Sequence, residues 1–379
     1  MIPGSYQVRK ARRVESRALK STQADSMEFQ NNIIGTDDLV LVTGAGGFIG
    51  PHLVESLLRH GLRNLRVFVR PSSNFRKLQE IVAEQGKRAR IELMQGNLLS
   101  REDSRAATKG ATVIFHLATG NGNSFPDAFM NSVVTTRNLL DASVEHGCLR
   151  RFVNISSFAV YSNVGKPRWR LLDESSPVEQ NAGSSRDAYC FAKVKQDELV
   201  IEYGKRFAIP YVIVRPGSVF GPGKAAITGR VGNGAFGIYL HLGGSNPIPL
   251  TYVANCADAI ALAGLAKGVE GEVFNVLDDD LPSSRRFLRL YKKHVAPFRS
   301  IYVPHAVSYM FCWLWEKYSR WSEGQLPLAF NRSRWHSEWK KTRYSNDKLK
   351  TRLGWTPKVP MAEGLDRFFT ACRERGQNA

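Results

Sequence analysis

Apolar and polar residues follow two different periods along this chain. From Leu39 onward, short apolar runs alternate with longer segments in which apolar residues recur every three or four positions. Short runs are typical of buried strands, and the wider spacing is typical of amphipathic helices. The runs predict six strands, at Leu39–Val42, Leu65–Val69, Ile91–Met94, Thr112–Leu117, Phe152–Ile155 and Tyr211–Val214.

Two of the intervening helices have clear ends. The predicted helices Phe48–His60 and Phe129–Glu145 are followed by Gly61 and Gly147, and glycine suits the left-handed residue after a helix. Pro51 is tolerated because it falls within a first turn. Strict alternation of strand and helix predicts an α/β fold, a Rossmann-type doubly wound parallel sheet.

A glycine-rich turn joins the first predicted strand to its helix. The stretch Thr43–Gly50 reads TGAGGFIG. In that setting Gly44 permits the tight turn, Gly47 lets the backbone approach a pyrophosphate, and Gly50 lets the helix pack closely on the strand. Free N–H groups at the helix start would face the anion, so the turn predicts a dinucleotide site; an ordinary glycine-rich turn is the alternative.

A tyrosine and a lysine four residues apart form a second candidate motif. Tyr189 and Lys193 would share one face of a helix. A nearby ammonium favours tyrosinate, so we expect Lys193 to lower the pKa of Tyr189 and allow proton exchange with a substrate oxygen. A surface pair is the alternative. Ser156 and Ser157 follow a predicted strand at the edge where doubly wound folds bind ligands, and a hydroxyl there can hold the reacting oxygen.

The apolar content, the cysteines and the net charge of the chain limit the possible classes of protein. The 43% apolar content is ample for a core, and the five cysteines are scattered, without a CxxC pair. We therefore expect a cytoplasmic protein without a disulfide framework, and, because no His/Cys cluster has ligand spacing, no metal.

The net charge of +19 is concentrated in residues 1–24 and 331–358. No nucleic-acid motif accompanies it, which leaves a solvated face, anionic lipid or a phosphorylated substrate.

An aromatic stretch near the C-terminus leaves its role open. Ile301–Trp315 is strongly apolar, but Pro304 interrupts it and it is too short to span a bilayer. Its apolar residues recur at helical spacing from Val307 to Trp315. The alternatives are core or lid packing, a dimer face, and peripheral membrane contact through residues 301–320.

Further motifs give the chain a family resemblance over residues 38–372. The matching motifs are TGAGGFIG, His116–Thr119, Ser156-Ser157 before Val160-Tyr161, Tyr189xxxLys193, Arg215–Pro222, Tyr252-Val with Ala257-Asp258-Ala259, and Leu353–Pro357. With them the chain resembles the extended short-chain dehydrogenases/reductases of the NAD-dependent epimerase/dehydratase type.

The resemblance implies a catalytic set. Tyr189 would be the general acid/base, Lys193 would tune it and hold the nicotinamide ribose, and Ser157, rather than Ser156, would polarise the substrate. Asn131 would complete the set, although Val134 stands where the family usually has glycine. Cofactor-binding positions would be Gly44, Gly46, Gly47, Phe48, Ile49, Gly50, Arg70, Asn97, Leu98, Leu117, Ala118, Thr119, Tyr189, Lys193, Pro216, Gly217 and Val219.

The chain divides into three predicted regions. Residues 1–37 lack apolar periodicity and predict a disordered basic arm without the apolar run of a cleavable targeting segment. Residues 38–215 would form the NAD(P)-binding Rossmann domain with the Ser/Tyr/Lys site. Residues 216–379 would form a smaller, mainly substrate-binding region with parts returning to the first domain. The resemblance also implies a homodimer through helices that include the one carrying Tyr189.

Charge at the end of the second strand suggests which dinucleotide binds. An NAD site normally has an acid there, whereas arginine suits the 2′-phosphate of NADP. Here the strand ends in Arg70, followed by Ser72, Ser73 and Arg76. We therefore expect NADP(H) in preference to NAD(H), with Asn97 replacing the acid that the family usually places near the adenine.

The substrate class is less specified. Ser245–Val253 lacks the Arg-Asp-Phe triplet common in nucleotide-sugar enzymes and looks more like the 3β-hydroxysteroid-dehydrogenase and dihydroflavonol-reductase branches. The leading hypothesis is an NADPH-dependent ketoreductase for a hydrophobic ketone or alcohol. A nucleotide-sugar epimerase or dehydratase is the alternative, because Arg230, Arg332 and Arg334 could clamp a pyrophosphate. A non-catalytic NADP-binding regulatory protein is a third hypothesis, which the intact Ser-Tyr-Lys set opposes.

Overall fold

The computed structural model describes residues 32–120, 124–185, 187–224, 227–235, 237–322 and 330–377. The strands are β1 (Val40–Thr43), β2 (Asn64–Val69), β3 (Arg90–Gln95), β4 (Val113–His116), β5 (Arg151–Ile155), β6 (Leu171–Leu172), β7 (Tyr211–Pro216), β8 (Ser218–Phe220), β9 (Gly232–Ala235), β10 (Ile238–His241), β11 (Leu250–Tyr252), β12 (Val273–Val276), β13 (Ser300–Tyr302) and β14 (Arg343–Tyr344). The helices are α1 (Gly50–Arg59), α2 (Arg76–Gln85), α3 (Arg101–Thr108), α4 (Phe125–Phe129), α5 (Thr135–His146), α6 (Ala182–Ser185), α7 (Ala188–Phe207), α8 (Val253–Leu265), α9 (Ser284–His294), α10 (His305–Trp321), α11 (Arg332–Glu338), α12 (Asp347–Leu353) and α13 (Met361–Gln377).

The main sheet is doubly wound. Its strands follow the order β12-β7-β5-β4-β1-β2-β3, and every neighbouring pair is parallel. The order reverses at β1, which lies between β2 and β4, and Thr43 pairs there with His116. In such sheets ligands bind outside the carboxyl ends of the strands at this reversal. The predicted fold class is confirmed.

Alternate residues of the strands build a core on each face of the sheet. Val40 and Val42 face one layer, formed mainly by α1, α2 and α8, whereas Leu41 faces the other, formed mainly by α3, α5 and α7. This alternation is the period of a strand that is buried on both faces. The sheet is therefore fully covered except at its two ends.

Sequence patterns located six of the seven strands of the main sheet. These six strands are present within two residues at each end, but the short buried strand β12 and the strands outside the main sheet, β6, β8–β11, β13 and β14, were missed. The helix predicted to begin at Phe129 begins as α4 and passes through a π-helical turn, Met130–Val134, before α5. Gly61 and Gly147 both have positive φ, as expected for residues that follow helices.

The predicted arm, residues 1–37, falls only partly within the described residues. Residues 1–31, with the basic residues 1–24, lie outside the described part of the chain. Residues 32–37, however, are folded: Asn32 bridges to Ala266, and the side chain of Ile34 is buried in the core. The ordered chain therefore begins before residue 38.

The C-terminal third forms a second cluster and also contributes to the main sheet. Phe287 of α9 packs with Phe368 and Phe369 of α13, and Leu250 and Val253 belong to the same buried cluster. β12 extends the main sheet beside β7, and α8 packs on its face. The aromatic cluster thus lies against the sheet end that carries the candidate site.

Candidate functional site

The glycine turn after β1 has the backbone geometry that its sequence predicts. Gly44 has a φ of +67°, and a Cβ there would lie 2.6 Å from the amide nitrogen of Ala118. A Cβ on Gly50 would overlap the carbonyl group of Ala45. Both positions therefore require glycine, because one has a left-handed backbone and the other has no space for a side chain. Ile49 at the N-cap has no polar side chain, which leaves the first N–H groups of α1 available to an anion.

A cavity of about 620 Å³ opens at the carboxyl ends of the strands beside this turn. The structure brings every predicted catalytic and cofactor-binding residue to its wall. These are Gly44, Gly46, Gly47, Phe48, Ile49, Gly50, Arg70, Asn97, Leu98, Leu117, Ala118, Thr119, Asn131, Ser157, Tyr189, Lys193, Pro216, Gly217 and Val219. Residues separated by more than 170 positions in sequence thus form one site.

Tyr189 and Lys193 lie in the first turns of α7, which begins with a side-chain cap. The carboxylate of Asp187 accepts a hydrogen bond from the backbone N–H of Cys190 at 2.8 Å. The Lys193 ammonium nitrogen lies 6.0 Å from the centre of the Tyr189 ring. It donates instead to the carbonyl oxygen of Ile155 at 2.6 Å and to Oε1 of Gln196 at 2.9 Å.

The expected effect of Lys193 on Tyr189 was wrong. Burial raises the pKa of Tyr189, although a hydrogen bond with Ser157 acts in the opposite direction. Burial also lowers the pKa of Lys193 to about 8, although the nearby Asp197 raises it. The lysine is directed into its own hydrogen bonds, so Ser157 is the side chain that favours the tyrosinate.

A buried chain of hydrogen bonds continues from Lys193 into the sheet. The Gln196 amide donates to Oγ1 of Thr136 at 2.8 Å, and Thr136 donates to the Ser132 carbonyl oxygen at 2.6 Å. Nε2 of His116, 2.8 Å from the same hydroxyl oxygen, must then be the donor. Its Nδ1 consequently accepts from the Thr43 hydroxyl at 2.7 Å.

This chain fixes the charge state as well as the position of its members. Burial, with Lys193 as a further cause, lowers the pKa of His116 to about 3, so the imidazole is neutral near pH 7. A neutral His116 with its proton on Nε2 donates a hydrogen bond to the Thr136 hydroxyl. The same hydroxyl accepts from the Gln196 amide, and Oε1 of Gln196 accepts from Lys193. Sequence reasoning named His116 only as part of a family motif and missed Thr136 and Gln196, because only the folded chain brings the three residues together.

A buried ion pair supports the serine segment. Nη2 of Arg215 donates to the Asp197 carboxylate at 3.0 Å, and the Ser156 hydroxyl donates to the same oxygen at 2.9 Å. Asn154 donates to the other oxygen at 2.8 Å. Ser156 is thus committed to a structural contact, which leaves Ser157 as the serine available to a substrate, as the sequence predicts.

Asn131 lies in the π-helical turn before α5. Its amide donates to the Asp127 side chain at 2.8 Å, and its backbone carbonyl accepts from the Thr135 hydroxyl at 3.0 Å. Turns of this kind are frequent at functional sites. Val134, at the end of the same turn, is only half-buried, so its side chain is accommodated where the family usually has glycine.

One end of the cavity is suited to an anionic nucleotide. Arg70 and Ser73 both line it, and a Cβ on Gly46 would lie 3.3 Å from the Ser73 side chain, which places this loop beside the glycine turn. Ser72 and Arg76 are not among the lining residues, and the Arg76 guanidinium pairs with Glu80 at 3.1 Å. The predicted 2′-phosphate shell is therefore reduced to Arg70 and Ser73.

The charges along the cavity all have one sign. Among the described lining residues the charged side chains are Arg70, Lys193 and Lys224, and none is a carboxylate. Asn97 does not introduce one, and its side-chain oxygen accepts from the backbone N–H of Leu99 at 3.1 Å. The glycine cradle and this uniformly basic wall fit a phosphate-rich dinucleotide.

An apolar and aromatic part of the cavity wall, which we call the aromatic end, packs against Phe48 and Ile49 of the glycine turn and was missed by sequence reasoning. Ile227, Thr228, Leu250, Phe287 and Phe368 line it together with Lys224. They come from separate loops and helices, and no local motif links them. Their only sequence signal is the general aromatic richness of the C-terminal third.

The three arginines considered for a sugar pyrophosphate lie elsewhere. None is among the described residues that line the cavity. Arg230 donates to the Ser337 carbonyl oxygen at 2.9 Å, Arg332 to the Glu316 carboxylate at 2.9 Å, and Arg334 pairs with Glu338 at 3.3 Å. The structure does not bring them together as a clamp at this site.

Comparison with known proteins gives both sequence and fold relatives. The sequence pattern of the NAD dependent epimerase/dehydratase family matches residues 40–276. Cinnamoyl-CoA reductase 1 of Oryza sativa subsp. japonica is 31% identical over 201 residues, which cover 52% of this chain and 58% of the relative. The 3beta-hydroxysteroid-dehydrogenase/decarboxylase isoform 1 of Arabidopsis thaliana is 26% identical over 354 residues, which cover 88% of this chain and 79% of the relative.

A solved structure shares the fold over nearly its whole length. UDP-glucuronic acid 4-epimerase from Bacillus cereus, in complex with NAD, superposes with a TM-score of 0.65 at 21% identity, covering 89% of this chain and 99% of the epimerase. The relatives therefore include both reductases and sugar epimerases. The family resemblance drawn from the motifs is confirmed.

Proposed function

Given that this chain belongs to the NAD-dependent epimerase/dehydratase family, as an enzyme of the extended short-chain dehydrogenase/reductase type, we propose that it is an NADPH-dependent ketoreductase for hydrophobic substrates. One observation carries the proposal: the wall of the cavity that holds Ser157, Tyr189 and Lys193 combines the glycine turn and basic side chains with a cluster of apolar and aromatic side chains. A hydrophobic ketone suits the aromatic end, because burial of apolar surface supplies most of the affinity for such ligands.

Arg70 supports NADPH as the cofactor. It directly follows β2 at the cavity wall, where an NAD-specific site would present an acid to the ribose hydroxyls. A guanidinium can bind a phosphate with two parallel hydrogen bonds, which makes it a strong partner for the 2′-phosphate. The N–H groups at the start of α1 would hold the pyrophosphate, and Lys193 would hold the nicotinamide ribose.

The side chains divide the reduction between them. When bound, the reduced nicotinamide supplies a hydride to the carbonyl carbon of the substrate. Ser157 donates a hydrogen bond to the carbonyl oxygen and orients it toward Tyr189. Tyr189 transfers its phenolic proton to that oxygen as negative charge develops there. Lys193, held by Ile155 and Gln196, would hold the nicotinamide ribose, and the hydrogen bond between Ser157 and Tyr189 favours the phenolate that remains.

Cofactor consumption tests the proposal. Purified full-length protein should oxidise NADPH in proportion to product when it is given a panel of aromatic and alicyclic ketones, and NADH should support slower turnover. A Tyr189→Phe variant serves as the matched control, since it keeps the ring and removes the proton.

A different outcome would overturn the ketoreductase assignment. If a UDP- or dTDP-sugar changes configuration with only a catalytic amount of cofactor, and no ketone consumes NADPH, the enzyme is an epimerase or dehydratase. Arg230, Arg332 and Arg334 are not among the described residues that line the cavity and form no pyrophosphate clamp there, which supports the ketoreductase over the nucleotide-sugar enzyme.

A further inference from the structure

The polarity of α10 is inverted relative to an ordinary surface helix. Its fully buried positions are His305, Ser308, Cys312 and Ser319, and the Ser308 hydroxyl accepts a hydrogen bond from the Trp335 indole at 2.9 Å. A surface helix normally buries its apolar stripe and exposes its polar one. Here the polar and small side chains face the protein, so the apolar side chains face outward.

The outward face of α10 is a continuous apolar surface. Trp321 is 77% exposed, Met310 55% and Leu314 50%. Val307, Phe311, Trp313 and Tyr318 are also exposed, and Ile301 and Tyr302 of β13 extend the patch before the helix begins. Patches of large apolar side chains on this scale mark contact with another apolar phase. We name these nine residues the α10 face.

A basic loop lies beside the start of α10. Residues 164–171 contain Lys166, Arg168 and Arg170 around the exposed side chain of Trp169. The loop is fastened to the segment before β14: Trp169 N–H donates to the Lys341 carbonyl oxygen at 2.7 Å, and the Lys341 ammonium nitrogen lies 5.0 Å from the centre of the Trp169 ring.

Two observations place this loop beside α10, at the flank of the helix that carries Tyr309 and Arg320. Val164 of the loop and Tyr309 and Arg320 of α10 line the same open groove. Burial lowers the pKa of His305, the first residue of α10, and the positive charges of Lys341 and Arg168 lower it further. Segments 160–171, 305–322 and 330–344 together carry ten Lys and Arg against two Glu. The apolar face is therefore bordered by an excess of positive charge.

We propose that the α10 face and the basic loop 164–171 form a peripheral docking surface for an anionic lipid bilayer. The apolar side chains would enter the interface while the cations contact acidic headgroups. Burial of apolar surface and electrostatic attraction would then both strengthen binding. Trp and Tyr favour this boundary because their rings are amphipathic. In the part of the chain described here, no helix is long and apolar enough to cross a bilayer, so α10 would lie along the surface.

Vesicle flotation with the full-length protein tests the proposal. Protein should float with phosphatidylcholine vesicles that contain phosphatidylserine, and binding should weaken at high salt and without the acidic lipid. The double variant Leu314→Glu, Tyr318→Glu should reduce the partition coefficient at least tenfold, because burial of each large side chain is worth more than that factor. Both sites are exposed, so the variant should keep its melting temperature and its NADPH binding.

The contribution of the basic loop to lipid binding is tested separately, with two triple variants that each remove three positive charges. Changing Lys166, Arg168 and Arg170 together to Gln should weaken binding to the acidic vesicles by about fivefold for each charge lost. The control changes Lys87, Arg88 and Arg90, which are exposed near the start of β3, to Gln and should leave vesicle binding unchanged.

Light scattering decides between a bilayer and a second copy of the chain. The proposal is overturned if the unmodified protein fails to float with acidic vesicles. It is also overturned if the Leu314→Glu, Tyr318→Glu variant floats as well as the unmodified protein, or if that variant only converts a dimer into a monomer without changing flotation. None of these three outcomes would bear on the ketoreductase proposal, which depends on the cavity.

Discussion

The two ends of the cavity are built in different ways. At the glycine-turn end, backbone atoms and short residues shape the wall, and Gly44 and Gly50 leave no space for a side chain. At the aromatic end, which packs against Phe48 and Ile49 of the turn, Phe287 and Phe368 supply bulky rings from α9 and α13, two helices that are far apart in the sequence. The first end is suited to a cofactor of fixed shape, whereas the second can change its substrate by changing a few side chains.

The junction between the two ends holds the proposed chemistry, and changing it should have the largest effect. Tyr189→Phe should lower turnover by about 10²–10⁴-fold, the range expected when a positioned proton donor is lost. NADPH affinity should change little, because the ring stays in place. Turnover assays and fluorescence titration of NADPH measure the two quantities; turnover that survives in this variant would show that another group donates the proton.

Filling the glycine-turn end should damage both fold and cofactor binding. In Gly50→Ala the new methyl group overlaps the Ala45 carbonyl, and overpacking of this kind costs about 1–3 kcal/mol in the free energy of unfolding. Urea unfolding and NADPH titration should both show the loss. Gly35→Ala is the control, since a Cβ there makes only an ordinary contact with Asp38. Equal effects of the two changes would mean that Gly50 is not the close contact the structure indicates.

The charge at the nucleotide end can be tested by its selectivity. Arg70→Glu should weaken NADPH binding roughly tenfold or more, because a charge-assisted bond to phosphate is lost, and should affect NADH much less. Titration of both cofactors with the same protein provides an internal control. A similar loss for both would remove the basis for preferring NADPH.

Reshaping the aromatic end should have the smallest effect, and it should alter the binding of the substrate more than that of the cofactor. Phe368→Leu keeps an apolar side chain in the buried cluster but removes the ring at the cavity wall. The KM for a hydrophobic ketone should rise severalfold while the Kd for NADPH changes less, since Phe368 reaches the glycine turn only through the packing of Phe48 and Ile49 on its cluster. A changed NADPH affinity with an unchanged KM would reverse the assignment of the two ends.

The same contrast explains how far the sequence predicted the site. The glycine turn, Arg70 and the Tyr189/Lys193 spacing depend on a few neighbouring residues, so their patterns were readable before folding. The aromatic end could not be predicted, because Leu250, Phe287 and Phe368 become neighbours only through tertiary packing.

The support beneath Lys193 also lay beyond the sequence. Gln196, Thr136 and His116 come from three elements, and their hydrogen bonds decide where the ammonium points. For the same reason the expected effect of Lys193 on Tyr189 was wrong: four-residue spacing places two side chains on one face, but burial and competing partners set their pKa values. Similarly, β12 was missed because its short apolar run is interrupted by Asn275, a polar residue that the fold buries.

Isotope transfer from the cofactor tests the central claim most directly. NADPH with both C4 hydrogens replaced by deuterium would be incubated with the protein and a hydrophobic ketone, and the alcohol would be analysed by mass spectrometry. The account predicts one deuterium on the new carbinol carbon for each NADPH oxidised, and about 10²–10⁴-fold less labelled alcohol with Tyr189→Phe after the same incubation time. If the cofactor keeps its deuterium with every ketone, while a nucleotide sugar is converted without net oxidation of NADPH, the account is contradicted.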